Sequence, residues 1–230
     1  MKAIVTTGIS RGLGKAIFDS LKDKNYCLIC ISRSFKEYQM NLSDKIDTIE
    51  LIKFDLNNIK SLTQTLDRSD LLNKQNIKEI VFINNASVIS PIGLIGKISE
   101  KEIKKSININ FISPVLISKY LTDISNKKNI KLRILNISSG AADKAFEGWS
   151  MYCSTKSAVK MFFNVLEKEN EILVENIDPG VMDTYMQKQI RDAGKTNFPL
   201  LDYFKKLERE GKLKDPFEVA ENILKRNDLI

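Results

Sequence analysis

The chain has 230 residues, a length that one domain can reach and that buries roughly 70% of the unfolded surface on folding. Hydrophobic residues make up 43% and charged residues 28% of the chain, and this composition argues against a disordered or membrane-embedded protein. The formal net charge is +7, but the lysines are spread along the chain, so we interpret them as a solvated surface and expect no nucleic-acid partner. No apolar run of about 18 residues occurs, and we expect no membrane association.

The contents of histidine and cysteine limit the available chemistry. No histidine is present, which excludes imidazole metal ligands and Ser-His or Cys-His nucleophile pairs, and we predict no metal site. The three cysteines are few and odd in number, as is typical of a reducing compartment, so we expect a cytoplasmic protein. Cys27 and Cys30 have the CxxC spacing, but strand alternation would place their thiols on opposite faces. We interpret them as buried strand residues.

Short apolar runs alternate with longer segments of helical period, a pattern typical of βαβ units in a parallel sheet. The predicted strands are residues 2–7, 26–32, 48–54, 79–84, 131–138 and 173–177. Helices are predicted at residues 12–24, 59–72, 100–125 and 150–169, with a further helix from Pro216. We therefore predict an α/β protein: a single-domain Rossmann fold over residues 1–230, with a doubly wound parallel sheet and helices on both faces. Functional residues are expected directly after strands, where such sheets bind ligands.

The segment 185–215 breaks the alternation of strands and helices. It mixes charged, aromatic and turn-forming residues. We expect it to be a mobile segment that covers the substrate.

A glycine-rich turn follows the first predicted strand. Gly8, Gly12 and Gly14 occur where a strand must turn sharply and begin a helix. Glycines at such a turn let the backbone approach phosphates, and the N-terminus of the helix offers N–H donors. A tight turn without a ligand would require the same residues, so the turn alone does not settle the function.

Further motifs in the same order make the chain resemble the short-chain dehydrogenase/reductase family. The spacing Gly-x-x-x-Gly-x-Gly is similar to that family's cofactor turn, and the resemblance runs from Met1 to Thr184. The matching positions after the turn are Asn84-Asn85-Ala86, Asn110, Ser139, Tyr152 with Lys156, Pro179-Gly180 and Thr184. Ser87 stands where the family usually has glycine. The sequence also departs from many relatives after the helix predicted from Pro216, because no seventh strand or substrate-side acid can be identified there.

The resemblance implies a catalytic set of Asn110, Ser139, Tyr152 and Lys156. Tyr152 would protonate the alkoxide as hydride arrives, Ser139 would hydrogen-bond the substrate oxygen, and Asn110 would hold a water that links Lys156 to solvent. The spacing supports this interpretation, because positions i and i+4 of a helix share a face. A nearby ammonium and an oxidised nicotinamide, both cationic, would lower the tyrosine pKa from its usual value of about 10.

Two arginines predict NADP(H) as the cofactor. Arg11 lies in the glycine turn and Arg33 ends the second strand, where NAD-binding proteins carry an acid and where a 2′-phosphate suits arginine. Asp55, after the third strand, resembles the family's adenine-contacting acid, although capping of a turn would also explain it. The cofactor contacts that the resemblance implies are Gly8, Ser10, Arg11, Gly12, Leu13, Gly14, Arg33, Asp55, Leu56, Asn85, Ala86, Tyr152, Lys156, Pro179, Gly180, Val181 and Thr184.

Two segments, residues 148–156 and 179–187, look most similar to the branch of the family that contains sepiapterin reductase and benzil reductase. This likeness implies a small, partly apolar ketone or dicarbonyl as substrate, bound by Ser139, Trp149 and Tyr152. Trp149 would form an apolar pocket wall, and core packing explains it equally well. A short-chain ketoreductase for a sugar or acyl substrate and a non-catalytic NADPH-sensing protein are the alternatives. The expected partner is a small carbonyl or alcohol, in a homodimer or homotetramer.

Overall fold

The computed structural model describes residues 1–74, 76–195 and 197–230 and confirms the Rossmann fold. Six strands form one sheet in the order β3-β2-β1-β4-β5-β6, and every neighbouring pair is parallel. The strands are β1 (Lys2–Thr7), β2 (Tyr26–Ser32), β3 (Ile49–Lys53), β4 (Glu79–Asn84), β5 (Lys131–Ile137) and β6 (Leu173–Ile177). The strand order reverses between β1 and β4, and this switch point is where open α/β sheets bind ligands.

The helices agree with prediction where the apolar period is long. They are α1 (Gly12–Leu21), α2 (Glu37–Ser43), α3 (Leu62–Leu66), α4 (Asp70–Asn73), α5 (Glu100–Ile107), α6 (Ser113–Lys128), α7 (Ser150–Glu169), α8 (Tyr185–Arg191), α9 (Leu201–Arg209) and α10 (Pro216–Arg226). A π-helical turn, Asn108–Ile112, joins α5 to α6. None of the helices in the described part of the chain is long and apolar enough to cross a membrane.

Two predicted helices are interrupted in the structure. The one predicted at residues 100–125 contains the π-helical turn Asn108–Ile112 and ends at Lys128. The helix predicted at residues 59–72 is interrupted before Ser69, whose hydroxyl caps α4 by accepting the Leu72 N–H at 3.2 Å. A serine that satisfies a free N–H in this way favours a new helix start over continuation. Helix α2 was not predicted, because its seven residues are mostly polar and show little apolar period.

The sheet is covered on both faces by separate apolar cores. Ala3 and Val5 of β1 belong to one core, with side chains of α6 and α7, whereas Ile4 belongs to the other, with side chains of α1 and α10. Strand alternation sends successive side chains to opposite faces, so one apolar strand supplies both cores. Cys27 and Cys30 divide between the two cores in the same way, as predicted.

A row of asparagines ties the neighbouring strands β4, β5 and β6 together. Asn84 donates to Asn136 at 2.8 Å, Asn136 donates to Asn176 at 2.7 Å, and these three residues are directly paired in the sheet register. Asn176 in turn donates to Asn164 of α7 at 2.8 Å. The row fixes the register of the three strands close to their carboxyl ends and anchors α7 to them.

Substitution of Gly14 tests how tightly β1, α1 and the residues after β4 are packed. A Cβ at Gly14 would lie 2.2 Å from the Gly8 carbonyl oxygen and 2.4 Å from Asn85 Nδ2, whereas a Cβ at Gly93 would meet nothing within 4 Å. We expect Gly14→Ala to lower the free energy of unfolding by about 1–3 kcal/mol. Gly93→Ala is the control and should change it by less than about 0.5 kcal/mol. Urea denaturation measures both, and equal stabilities would contradict the close packing.

Candidate active site

A cleft of about 1110 Å³ opens at the carboxyl ends of the strands. Every residue predicted to contact cofactor or substrate lines it, and so do three of the four predicted catalytic residues. Asn110 is the exception. It is buried behind the wall, and its neighbour Ile109 reaches the cleft instead.

The glycine turn forms the floor of the cleft at the end of β1. Gly8 has φ of +75° and Gly12 has φ of +54°, values that side-chain-bearing residues rarely adopt. Asn85 holds the turn from the next strand, because its Nδ2 donates to the carbonyl oxygens of Thr7 at 2.8 Å and Gly8 at 3.1 Å. The Thr7 hydroxyl accepts the N–H groups of Asn85 and Ala86 in return. The turn is therefore fixed with its backbone exposed to the cleft.

This region fits a nicotinamide dinucleotide. Gly12 lies at the N-terminus of α1, where unpaired N–H groups and the helix dipole favour a pyrophosphate. The Thr184 methyl carbon lies 3.2 Å from where a Gly12 Cβ would be, so a side chain at this position would crowd the wall of the cleft. Gly14 serves packing instead, because a Cβ there would meet the Gly8 carbonyl oxygen at 2.2 Å.

The two predicted arginines lie along the same side of the cleft. Arg11 is exposed, and its guanidinium lies 4.1 Å from the centre of the Tyr185 ring, a cation–π contact that leaves its N–H edges free to donate. Arg33 is exposed after β2, and neither arginine makes a salt bridge with an acid of the described residues. Asp55 lines the cleft and also caps its own turn, since its carboxylate accepts the Asn57 N–H at 3.0 Å.

The three reacting side chains meet at the carboxyl end of β5. Ser139 follows that strand, and its hydroxyl accepts the Ala141 N–H at 3.2 Å. Tyr152 and Lys156 lie one turn apart on α7, with the lysine Nζ 5.9 Å from the centre of the tyrosine ring. The Lys156 ammonium donates to the Ile137 carbonyl oxygen at 2.8 Å, which fixes it beneath the strand end.

Burial controls the protonation of this pair. It raises the pKa of Tyr152 to about 12, against a smaller lowering by a hydrogen bond with Ser139. Burial also lowers the pKa of Lys156 to about 8, and the negative charge of Asp178 offsets part of that effect. In the protein alone, desolvation of the phenol is the largest cause and raises the pKa. That a nearby ammonium and an oxidised nicotinamide together lower it stays a prediction.

The Asn110 side chain is fully hydrogen-bonded within the fold. Its Oδ1 accepts from the Ser87 hydroxyl at 3.1 Å and the Val88 N–H at 2.8 Å, and its Nδ2 donates to the Val88 carbonyl oxygen and to Thr155 Oγ1. The amide has no capacity left for a water. A water relay to Lys156 would have to use the main-chain carbonyl of the π-helical turn. The Ser87 hydroxyl, absent from the family's usual glycine, is part of this network.

An aromatic cluster forms the substrate end of the cleft. Trp149 stacks on Phe198 at 4.7 Å between ring centres and also contacts the rings of Phe146, Tyr152 and Phe204. Trp149 is only 5% exposed and also lines the cleft, so core packing and a place in the cleft wall are compatible. Its contact with a substrate stays a prediction.

The predicted covering segment 185–215 lies over this cluster, except for Thr196, which falls outside the described residues. Phe198, Leu201 and Phe204 of the segment are buried against Trp149. Backbone hydrogen bonds between Lys214 and residues 181 and 183 attach its far end to the chain that follows β6. The segment therefore packs as part of the cleft wall. Its mobility remains a prediction.

Asp178, Tyr185 and Gln187 are among the residues of the cleft that sequence reasoning missed. Asp178 follows β6 directly, which was the available signal, since functional residues were expected after strands. Tyr185 and Gln187 lie on α8, inside the segment 179–187 whose likeness to the reductase branch was noted, but that likeness gave neither residue a role. No pattern in the sequence distinguishes them from surface residues of a short helix.

Comparison with known proteins places the chain in a class. The family model for short chain dehydrogenases matches residues 2–195. Benzil reductase ((S)-benzoin forming) of Bacillus subtilis is 34% identical, over 97% of this chain and 92% of that protein. Sepiapterin reductase of Rattus norvegicus is 27% identical, over 96% of this chain and 88% of that protein. A short chain dehydrogenase/reductase structure from Saccharomyces cerevisiae is 28% identical with a TM-score of 0.79, covering 94% of this chain and 86% of that one.

The fold and cleft define a nicotinamide-dependent oxidoreductase that acts on CH–OH or C=O groups. The chain belongs to the short-chain dehydrogenase/reductase family. Its relatives include the benzil and sepiapterin reductases, so the branch indicated by the motifs is confirmed.

Replacement of Lys156 tests the burial of its charge. With a pKa of about 8 in the folded protein and 10.5 in the unfolded chain, the lysine destabilises the fold most below pH 8, and the penalty disappears as pH rises to 10.5. We expect Lys156→Met to raise the free energy of unfolding at pH 7 by about 1–3 kcal/mol, allowing for the lost hydrogen bond to Ile137. The gain should shrink by pH 10.

The control is Lys160→Met, one turn further along α7, where the ammonium is partly exposed and pairs with Asp143. Lys160→Met should not raise the free energy of unfolding at pH 7. Urea denaturation at both pH values measures the differences. A Lys156→Met protein that is less stable than the parent by the same amount at pH 7 and pH 10 would show that the lysine charge is not penalised.

Proposed function

We propose that the protein reduces a small, partly apolar ketone or dicarbonyl with NADPH, and that Tyr152 is the proton donor. The observation that carries this proposal is the meeting of Ser139, Tyr152 and Lys156 in one cleft with the glycine turn. When bound, the nicotinamide supplies a hydride to the carbonyl carbon. Tyr152 gives its proton to the carbonyl oxygen, which Ser139 holds, and the product is an alcohol.

The protonation states of the site support reduction. A phenol whose pKa is raised to about 12 is protonated at neutral pH and ready to donate. Lys156, with a pKa of about 8, is largely charged at that pH and can stabilise the phenolate that remains. The proton is then replaced from solvent.

The alternatives have less support. The wall of Trp149, Phe146 and Phe204 favours an apolar substrate over a sugar, whose hydroxyls would need more hydrogen-bonding partners. A sensor of NADPH without turnover would not require the serine, tyrosine and lysine together.

We also infer that NADPH is preferred over NADH, that the enzyme is cytoplasmic, and that it forms a homodimer or homotetramer. Arg11 and Arg33 support the first point, since both are exposed on the cleft. Exposed apolar side chains on α7 and β6, namely Met161, Val165 and Leu173, support self-association.

The mechanism is tested with Tyr152→Phe. The variant keeps the ring and removes the proton donor, so kcat for carbonyl reduction should fall by about 10²–10⁴-fold. NADPH should bind as in the parent, because the phosphates rest on the glycine turn. Initial rates with a panel of ketones, diketones and sepiapterin identify the substrate, and fluorescence titration gives the NADPH affinity. A folded variant whose kcat stays within threefold of the parent would rule Tyr152 out as the acid.

Cofactor choice is tested with Arg33→Asp. A carboxylate beside the 2′-phosphate should weaken NADPH binding by at least about 30-fold through charge repulsion. NADH lacks that phosphate and is the internal control, so its dissociation constant should change by less than threefold. Equal losses for both cofactors would contradict the assignment of Arg33.

A further inference from the structure

Two residues that line the cleft carry polar atoms that the fold leaves without partners. The Trp149 Nε1 and both the Oε1 and Nε2 of Gln187 are buried, and no hydrogen-bond partner for them exists within residues 1–74, 76–195 and 197–230. Trp149 is 5% exposed and Gln187 only 2%, yet both residues line the cleft. Buried polar groups in proteins are nearly always paired, and of the described residues with such unpaired atoms only Trp149 and Gln187 line the cleft, where a ligand could pair with them.

Gln187 is held in an apolar setting. It lies on α8 between Met186 and Ile190, which both pack in the cluster around Trp149. A leucine or methionine would fill the same space without leaving an amide unsatisfied. The glutamine therefore lowers stability at this position, as functional groups often do.

The unpartnered groups suit an acceptor on the substrate. Ser139 and Tyr152 both serve the carbonyl that is reduced, so they leave none of their donors for another oxygen. The indole N–H and the glutamine NH₂ are donors, and the soft terminal torsion of glutamine lets its amide turn toward the cleft. The Trp149 ring lies 5.7 Å from the Tyr152 ring, which places the indole next to the reacting centre.

We propose that Gln187, with the Trp149 indole, binds a second oxygen of the substrate and makes the cleft selective for 1,2-dicarbonyl compounds with apolar substituents. The inference rests on the proposed carbonyl reduction and names the substrate class and the residue that selects it. The aromatic wall accommodates the substituent, and the second oxygen pairs with groups that a simple ketone would leave unsatisfied.

The test compares two ketones that have the same carbon skeleton and differ by one carbonyl oxygen. The diketone is benzil, and its partner is the corresponding mono-ketone, 1,2-diphenylethanone. Gln187→Leu should lower kcat/KM for benzil at least tenfold and that for the mono-ketone less than threefold. Gln64→Leu, the same change at an exposed position of α3 outside the cleft, is the control and should keep the parent's ratio.

Binding without turnover gives an independent readout. Trp149 is the only tryptophan of the chain, so quenching of its fluorescence reports occupation of the cleft. With NADP⁺ present no hydride is available, and the dissociation constants of both ketones can be measured directly. Gln187→Leu should weaken benzil binding at least tenfold and mono-ketone binding less than threefold. If the parent reduces neither ketone but this difference is found, the proposed reaction fails while the binding role of Gln187 stands.

Stability separates this role from a structural one. Because the amide is unpaired in the fold, Gln187→Leu should raise the urea midpoint, and Gln187→Met should do the same if the leucine variant folds poorly. Equal loss for both ketones, no loss for either, or a midpoint no higher than the parent's would overturn the proposal.

Discussion

The hydrogen bonds of Asn85 to the carbonyl oxygens of Thr7 and Gly8 are the contact on which the rest of the cleft depends. They join the ends of β1 and β4 at the point where the strand order reverses, so the connections that leave these two paired strands run to opposite faces of the sheet and leave a crevice. Gly14 packs against both partners so closely that no side chain fits. The geometry of this contact sets where α1 begins, and with it where phosphates can bind.

The reacting groups are placed by the strands on the other side of that crevice. The asparagine row from Asn84 through Asn136 to Asn176 fixes the ends of β4, β5 and β6, and its last bond reaches α7, which carries Tyr152 and Lys156. The lysine is then bonded to the last carbonyl of β5. The catalytic pair is thus positioned by buried polar bonds, and its burial raises one pKa and lowers the other. The protein supplies a protonated acid and a charged neighbour in a partly dry site.

The third wall comes from the chain after β6. Thr184 and Tyr185 contact the glycine turn at Gly12 and Arg11, while Phe198 and Phe204 cover Trp149. One continuous segment therefore spans the cofactor and substrate ends of the cleft. This arrangement explains why short polar helices in this segment carry cleft residues such as Gln187, although nothing in their own pattern indicates it.

The sequence by itself determined the sheet and most of the site, because buried parallel strands are continuous apolar runs and because the glycine, serine, tyrosine and lysine motifs keep their order along the chain. Only the tertiary structure decided what depends on contacts between distant segments. It gave Asn110 its partners at residues 87, 88 and 155, and its burial of the phenol raises the Tyr152 pKa in the protein alone. It also left the Gln187 amide unpaired in an apolar wall. Whether a side chain's hydrogen bonds are all made, and how far the side chain is removed from water, depends on its neighbours in space. A motif in the linear sequence does not specify those neighbours.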